Sequence, residues 1–293
     1  LFQPLARSGT FPAPFPEAMT CQTCGNPHQE RFCPHCGEKR HDPHSLTVRH
    51  YAEETLEGFT HFDHRFFRSV RALLLKPGLL TAEFVRGRRV PYMLPLPLFL
   101  VCNLLFFFFQ TNNVFNQPLS SFVQYRPYTY FNTVATVRRA LAATGQPEQD
   151  FATRFNAAMT SASKSYLFVQ IPVFALLLAL LFAPKRRTYI EHLIFSTHLY
   201  SFLLLFFLLQ GLFILLPAQI LLQSRWTHRL LEATFAFSSL LALVVYLTVG
   251  FRRFYGVTRA WSVGAALLAC VAFVGLVVGY RMLLFYKIVA FGH

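Results

Sequence analysis

Leu193-Ile-Phe-Ser-Thr-His-Leu-Tyr-Ser-Phe-Leu-Leu-Leu-Phe-Phe-Leu-Leu-Gln-Gly-Leu-Phe-Ile-Leu-Leu216 decides the fold of this chain. No Asp, Glu, Lys or Arg occurs from His192 to Ser224. A helix of that composition has no face to offer to water. About 20 such residues cross the hydrocarbon layer of a bilayer, so the stretch reads as a transmembrane helix. Working outward, further apolar segments run over Pro95–Phe109, Tyr166–Ala183, Phe235–Gly250 and Val263–Ala290. Pro95–Phe109 and Phe235–Gly250 are short for a span and borrow flanking residues. The expected fold is an all-α polytopic membrane protein of about five transmembrane helices. Cys21, Cys24, Cys33 and Cys36, in two closely spaced pairs, read as a short four-cysteine zinc ribbon that, with cytoplasmic amphipathic helices, precedes them.

Composition agrees. Of 293 residues 54% are hydrophobic and 14% charged, against about 25% charged in soluble domains. After Pro95 the only acids are Glu148, Asp150, Glu191 and Glu232, so the second part is apolar and basic. The net charge of +14 is read as the positive-inside signature rather than as a nucleic-acid surface, because the cations fall in short clusters between apolar spans. Lys185-Arg186-Arg187, Arg252-Arg253 and Arg259 share the side of the N-terminal part, while the 110–165 loop, Arg225, Arg229 and His293 take the other. This places the N-terminus in the cytoplasm and the C-terminus outside. Residues 1–18 read as a disordered or non-native leader, 19–40 as the ribbon, 41–90 as interfacial helices and 91–293 as the membrane domain. Within 110–165, helical patterns over Phe131–Ala143 and Pro147–Lys164 suggest a small extracytoplasmic cap.

The strongest chemical signal is Cys21-x2-Cys24 with Cys33-x2-Cys36, a glycine following each pair (Gly25, Gly37). Each pair turns two sulfurs toward one ion, and the glycine permits the tight turn. Four thiolates make a closed tetrahedral Zn2+ site, structural rather than catalytic. Free thiolates also persist best in a reducing cytosol, which agrees with the charge-based orientation.

From His41 to about Lys76 the pattern is helical until Lys76-Pro77-Gly78 stops it, with Phe59, Phe62, Phe66, Val70 and Leu73 at helical spacing. On an unbroken helix His50, Glu54, Glu57, His61, His64 and Arg68 form one polar stripe, densest at His61-Phe-Asp63-His64. That stripe is read either as the solvated face of a helix lying on anionic lipid or as a second metal-binding cluster. A further polar group, Glu191, His192 and His198, opens the central span. His198 lies deepest, with a functional role and an interhelical hydrogen bond as its two readings. The segment around His61, Asp63 and His64 is expected to lie beside Glu191 and His192.

Cys21-Gln-Thr-Cys-Gly25, Arg31-Phe-Cys-Pro-His-Cys-Gly-Glu38, Gly58-Phe-Thr-His-Phe-Asp63 through Lys76-Pro77-Gly78, Gly87-Arg-Arg-Val-Pro-Tyr92, and Glu191-His192 with His198 together resemble an uncharacterised family of bacterial zinc-ribbon membrane proteins, a domain of unknown function. The resemblance implies an architecture and a bacterial inner membrane, and supplies no activity. Two departures are Glu38, where Gln is usual, and a less aromatic neighbour after His198. The leading functional reading is a non-enzymatic membrane protein whose ribbon docks a protein partner. The rivals are a His-rich membrane metalloenzyme working at the cytoplasmic interface and a small transporter.

Overall fold

In a bilayer each backbone N–H and C=O must be satisfied within the protein, so apolar segments of this length are held to the helical state. A computed structural model describes residues 19–39, 65–109, 115–221 and 225–291. The order is a two-stranded hairpin, β1 (Met19–Thr20) and β2 (Pro27–His28), then α1 (Arg65–Leu75), α2 (Leu79–Val85), α3 (Pro95–Phe109), α4 (Leu119–Gln124), α5 (Thr133–Thr144), α6 (Glu148–Leu181), α7 (Tyr189–Gln210), α8 (Leu216–Leu221), α9 (Arg225–Tyr255) and α10 (Arg259–Phe291). Each apolar segment identified above lies on a helix. Among the described residues three helices are long and apolar enough to cross a membrane: Tyr189–Ala218, Ala233–Tyr255 and Arg259–Phe291. Two halves of α6, Glu148–Ser163 and Leu167–Leu181, bent by 55°, make a fourth if taken as one span, and Pro95–Phe109 is shorter.

α7 is the axis. It is buried along most of its length, packing most widely against α3 and α6 and more narrowly against α1, α2 and α9. Its continuation through a π-helical turn, Gly211–Leu215, joins it to α8. Polar side chains stitch the bundle across helices: Tyr200 donates to Gln170 Oε1 at 3.2 Å, Tyr280 to the Ser163 carbonyl at 2.9 Å, and Gln210 to Ser238 Oγ at 2.6 Å. Such bonds hold membrane helices together where apolar burial gives little driving force. Cys102 and Cys270 are buried among apolar neighbours as packing residues.

The two ends of the bundle differ. At one end α4, a short 3₁₀ turn (Tyr128–Phe131), α5 and the start of α6 form a cap around the last turns of α10. There Phe122 stacks on Phe285 with ring centroids 4.9 Å apart, and Tyr286 donates to the Phe131 carbonyl. Asn132 precedes α5 in the left-handed conformation and without a side-chain cap. The helix expected to end at Lys164 does not stop there: it bends and runs on into the apolar half of α6.

At the opposite end the chain breaks at Lys76-Pro77-Gly78, separating α1 from α2. Gly78 has φ +74°, and a Cβ there would sit 2.9 Å from the Gly250 Cα. Only glycine suits both the backbone and the approach to α9. The Arg253 guanidinium fastens the corner by donating to the Pro77 carbonyl at 2.7 Å. Phe66, Val70 and Leu73, expected to leave water, pack against the bundle core. α2 is the surprise: Leu80, Thr81, Ala82, Glu83 and Phe84 are all buried, so it is lodged against α7 and α9 and does not lie on the surface.

Candidate metal centre and its anchorage

The ribbon is built from two copies of one turn. Cys21 N–H donates to the Asn26 carbonyl and Gly25 N–H to the Cys21 carbonyl, both at 2.9 Å; Cys33 N–H donates to Glu38 and Gly37 N–H to Cys33, both at 2.8 Å. Gly25 and Gly37 close these turns at φ +77° and +72°, a region other residues enter at a cost. The hairpin pairs Met19 with His28 and Thr20 with Pro27, and Phe32 bridges to Lys39 in the second turn.

All four sulfurs converge, each within 4.8 Å of the others. Cys21 and Cys36 sulfurs are 3.5 Å apart, as are those of Cys24 and Cys33, too far for disulfide bonds, which need about 2.05 Å. A tetrahedral ion with M–S bonds of about 2.3 Å sets its sulfurs about 3.8 Å apart, so the donor set fits a four-coordinate thiophilic metal. Proton affinities diverge among the thiols. Burial pushes Cys33 up, but the backbone N–H groups of Cys36 and His35, together with hydrogen bonds from the Cys24 and Cys21 thiols, outweigh it and leave its pKa at about 6. Burial raises Cys36 to about 12, reinforced by the other thiols. Four thiols so close cannot all ionise on their own, and a divalent cation reverses that balance. His28 is engaged with the Glu30 carbonyl at 3.0 Å instead. Among the described residues the four cysteines are the one group of three or more metal-ligand side chains so gathered.

Glu38, the residue after Gly37, ties the ribbon to the helices. It is only 4% exposed. Its Oε2 accepts from Thr23 Oγ1 at 2.6 Å and from the Arg89 and Val90 N–H groups at 3.0 Å each. Arg88 adds a second tie, donating through Nε to the Gln22 carbonyl at 2.7 Å and through Nη1 to Glu83 at 3.2 Å. The segment between α2 and α3 therefore lies under the ribbon.

The polar residues of α7 separate rather than converge. Glu191 closes a capping box with Thr188, accepting its N–H at 2.8 Å, and takes Arg187 at 2.9 Å. His192 Nδ1 is hydrogen-bonded to Tyr255 on α9 at 2.7 Å. His198 Nδ1 is hydrogen-bonded to Thr81 on α2 at 2.9 Å, about 13 Å along α7 from Tyr189 at 1.5 Å per residue. His50, Glu54, Glu57, His61, Asp63 and His64 lie outside the described residues, and with them the juxtaposition with Glu191. Sequence reasoning missed Glu38, Thr81, Arg88 and Tyr255. For Glu38 one signal existed, its departure from the Gln usual at that position.

Residues 63–107 are similar to a family described as Protein of unknown function (DUF3667). The matched stretch takes in α1, α2 and most of α3 and excludes the ribbon. No curated protein and no solved structure matches this chain.

Proposed function

We propose that this chain is an integral membrane protein of the bacterial inner membrane whose zinc-bound ribbon is a fixed cytoplasmic platform for a protein partner, and that it is not an enzyme. The observation that carries this is the Glu38 carboxylate, which takes two backbone N–H groups from the segment between α2 and α3. A ribbon tethered only by a flexible chain needs no such buried contact. The ribbon is pinned, and its four thiols face one another with no open coordination position for substrate, the arrangement of a structural site. Zinc is favoured as a redox-inert ion that four thiolates hold in a tetrahedron. Phe32, half exposed and with the Arg31 guanidinium 5.7 Å over its ring, is the aromatic this platform offers a partner. The five helical segments are taken as five spans, with the ribbon end of the bundle inside the cell because Lys185, Arg186, Arg187, Arg252 and Arg253 gather there.

The test is metal analysis and cross-linking of the full-length protein. One zinc per chain is expected, lost in Cys24→Ser, and a photo-reactive residue at Phe32 should give a discrete adduct in native membranes that vanishes with the zinc. Iron in place of zinc, or an adduct indifferent to the metal, would overturn the platform reading.

A further inference from the structure

We propose that the outward face of α1 is a seat for anionic phospholipid headgroups. The argument starts from the surface of that helix. Ser69, Ala72 and Leu73 are buried against the bundle, while Arg68 and Arg71 are exposed on the other side. Beside those cations stand two large apolar side chains, Phe67 at 74% exposure and Leu75 at 69%. Water alone does not account for such a face. A bilayer interface does, because it takes the ring and the isobutyl group while the guanidinium groups stay with the headgroups.

Charge selects the headgroup. Among the described residues, Glu83 is paired with Arg86 and Arg88, Glu191 with Arg187, and Glu38 accepts from backbone N–H groups, so none of these three is directed at α1. Arg68, Arg71, Lys76 and Arg252 are exposed and have no ion pair among the described residues. Arg253, bound to the Pro77 carbonyl, brings the end of α9 beside the end of α1. A cationic face interleaved with apolar side chains, next to transmembrane helices, complements a phosphate-bearing anionic lipid. The inference rests on the membrane reading of the bundle and is independent of the role proposed for the ribbon.

The test uses the purified full-length protein in neutral detergent, with thermal unfolding followed during titration with phosphatidylglycerol, phosphatidylcholine or inorganic phosphate. Phosphatidylglycerol should raise the midpoint far more than the other two, and 0.5 M salt should erase the preference. Each Arg near an anionic surface is worth about fivefold in affinity, so Arg68→Gln with Arg71→Gln should weaken the apparent affinity about 25-fold. The corresponding double Lys variant should retain most of it, which separates headgroup attraction from a fold defect. Equal responses to both lipids, or a Gln variant that keeps the preference, overturns the proposal and leaves the face to an acidic protein segment. Extraction of the wild type from membranes by alkaline carbonate would instead overturn the membrane reading itself.

Discussion

Glu38→Ala is the sharpest perturbation of the anchorage. It removes the acceptor of three hydrogen bonds, from Thr23 and from the Arg89 and Val90 N–H groups. Bonds to a charged group contribute about 1.5–3 kcal/mol each, but water reaches the freed N–H groups once the ribbon lifts. A net loss of about 3 kcal/mol in docking is therefore reasonable, which multiplies the undocked population about 100-fold. Hydrogen exchange read by mass spectrometry on the zinc-loaded, full-length protein should show the Arg89 and Val90 amides exchanging faster by that factor. Zinc stoichiometry should not change, since no ligand is touched. Glu38→Gln keeps a carbonyl oxygen for the two N–H groups and should lose only about tenfold, the difference between a charged and a neutral acceptor. Unchanged exchange in the Ala variant would show that Arg88 and its bond to the Gln22 carbonyl hold the ribbon unaided. Zinc lost with Glu38 would show that the carboxylate serves the ribbon's own fold and not its docking.

Other perturbations have equally definite outcomes. Cys24→Ser should abolish zinc binding and unfold Cys21–Gly37, because metal binding supplies about 10–16 kcal/mol of folding energy in so small a unit; the Arg89 and Val90 amides, which Glu38 holds, should then exchange freely while the helices still insert. Gly78→Ala combines a positive φ with a Cβ 2.9 Å from Gly250 and should destabilise by about 3 kcal/mol in thermal unfolding. Gly145→Ala, with φ +62° and open space around it, should cost only about 1 kcal/mol. Thr81→Val should cost about 1–2 kcal/mol by stranding His198, and much less in a His198→Phe background, as a double-mutant cycle would show. Impermeant thiol reagents should reach single cysteines placed at Arg187 and Arg253 from the cytoplasm, and at Gly145 and His293 from outside; a cytoplasmic His293 would remove one span.

What could be read in advance was what neighbours in the chain dictate. An uncharged run such as His192–Ser224 has one solution in a bilayer, the Lys76-Pro77-Gly78 stop acts within one turn, and four cysteines in two spaced pairs carry their chemistry in the spacing. α6 misled because polarity changes at Lys164-Ser165-Tyr166, whereas helical hydrogen bonding is indifferent to polarity: the helix bends at the change and does not end. Contacts between distant residues left no local trace. Glu38 meets Val90 across 52 positions and Thr81 meets His198 across 117. The seven residues of α2 are too few to show a period, and the basic residues that follow it placed it with the interfacial helices of 41–90.

That short helix gives the ribbon's anchorage its mechanical meaning. One end of α2 is pressed onto α9 at Gly78 and Gly250, and its first turn holds His198 of α7 through Thr81. Its other end leads within five residues to Arg89 and Val90, which Glu38 grips. A rigid helix held at both ends cannot tilt without breaking one of these contacts, since packed helices shift between discrete arrangements rather than deform continuously. The ribbon, the α2–α3 junction and the buried His198 therefore share one rigid path. Residues 63–107, the stretch similar to the family of unknown function, contain α2 and the whole of that junction, but neither the ribbon nor α7. The similarity thus falls on the part of the chain that joins the four-cysteine unit to the helix bundle.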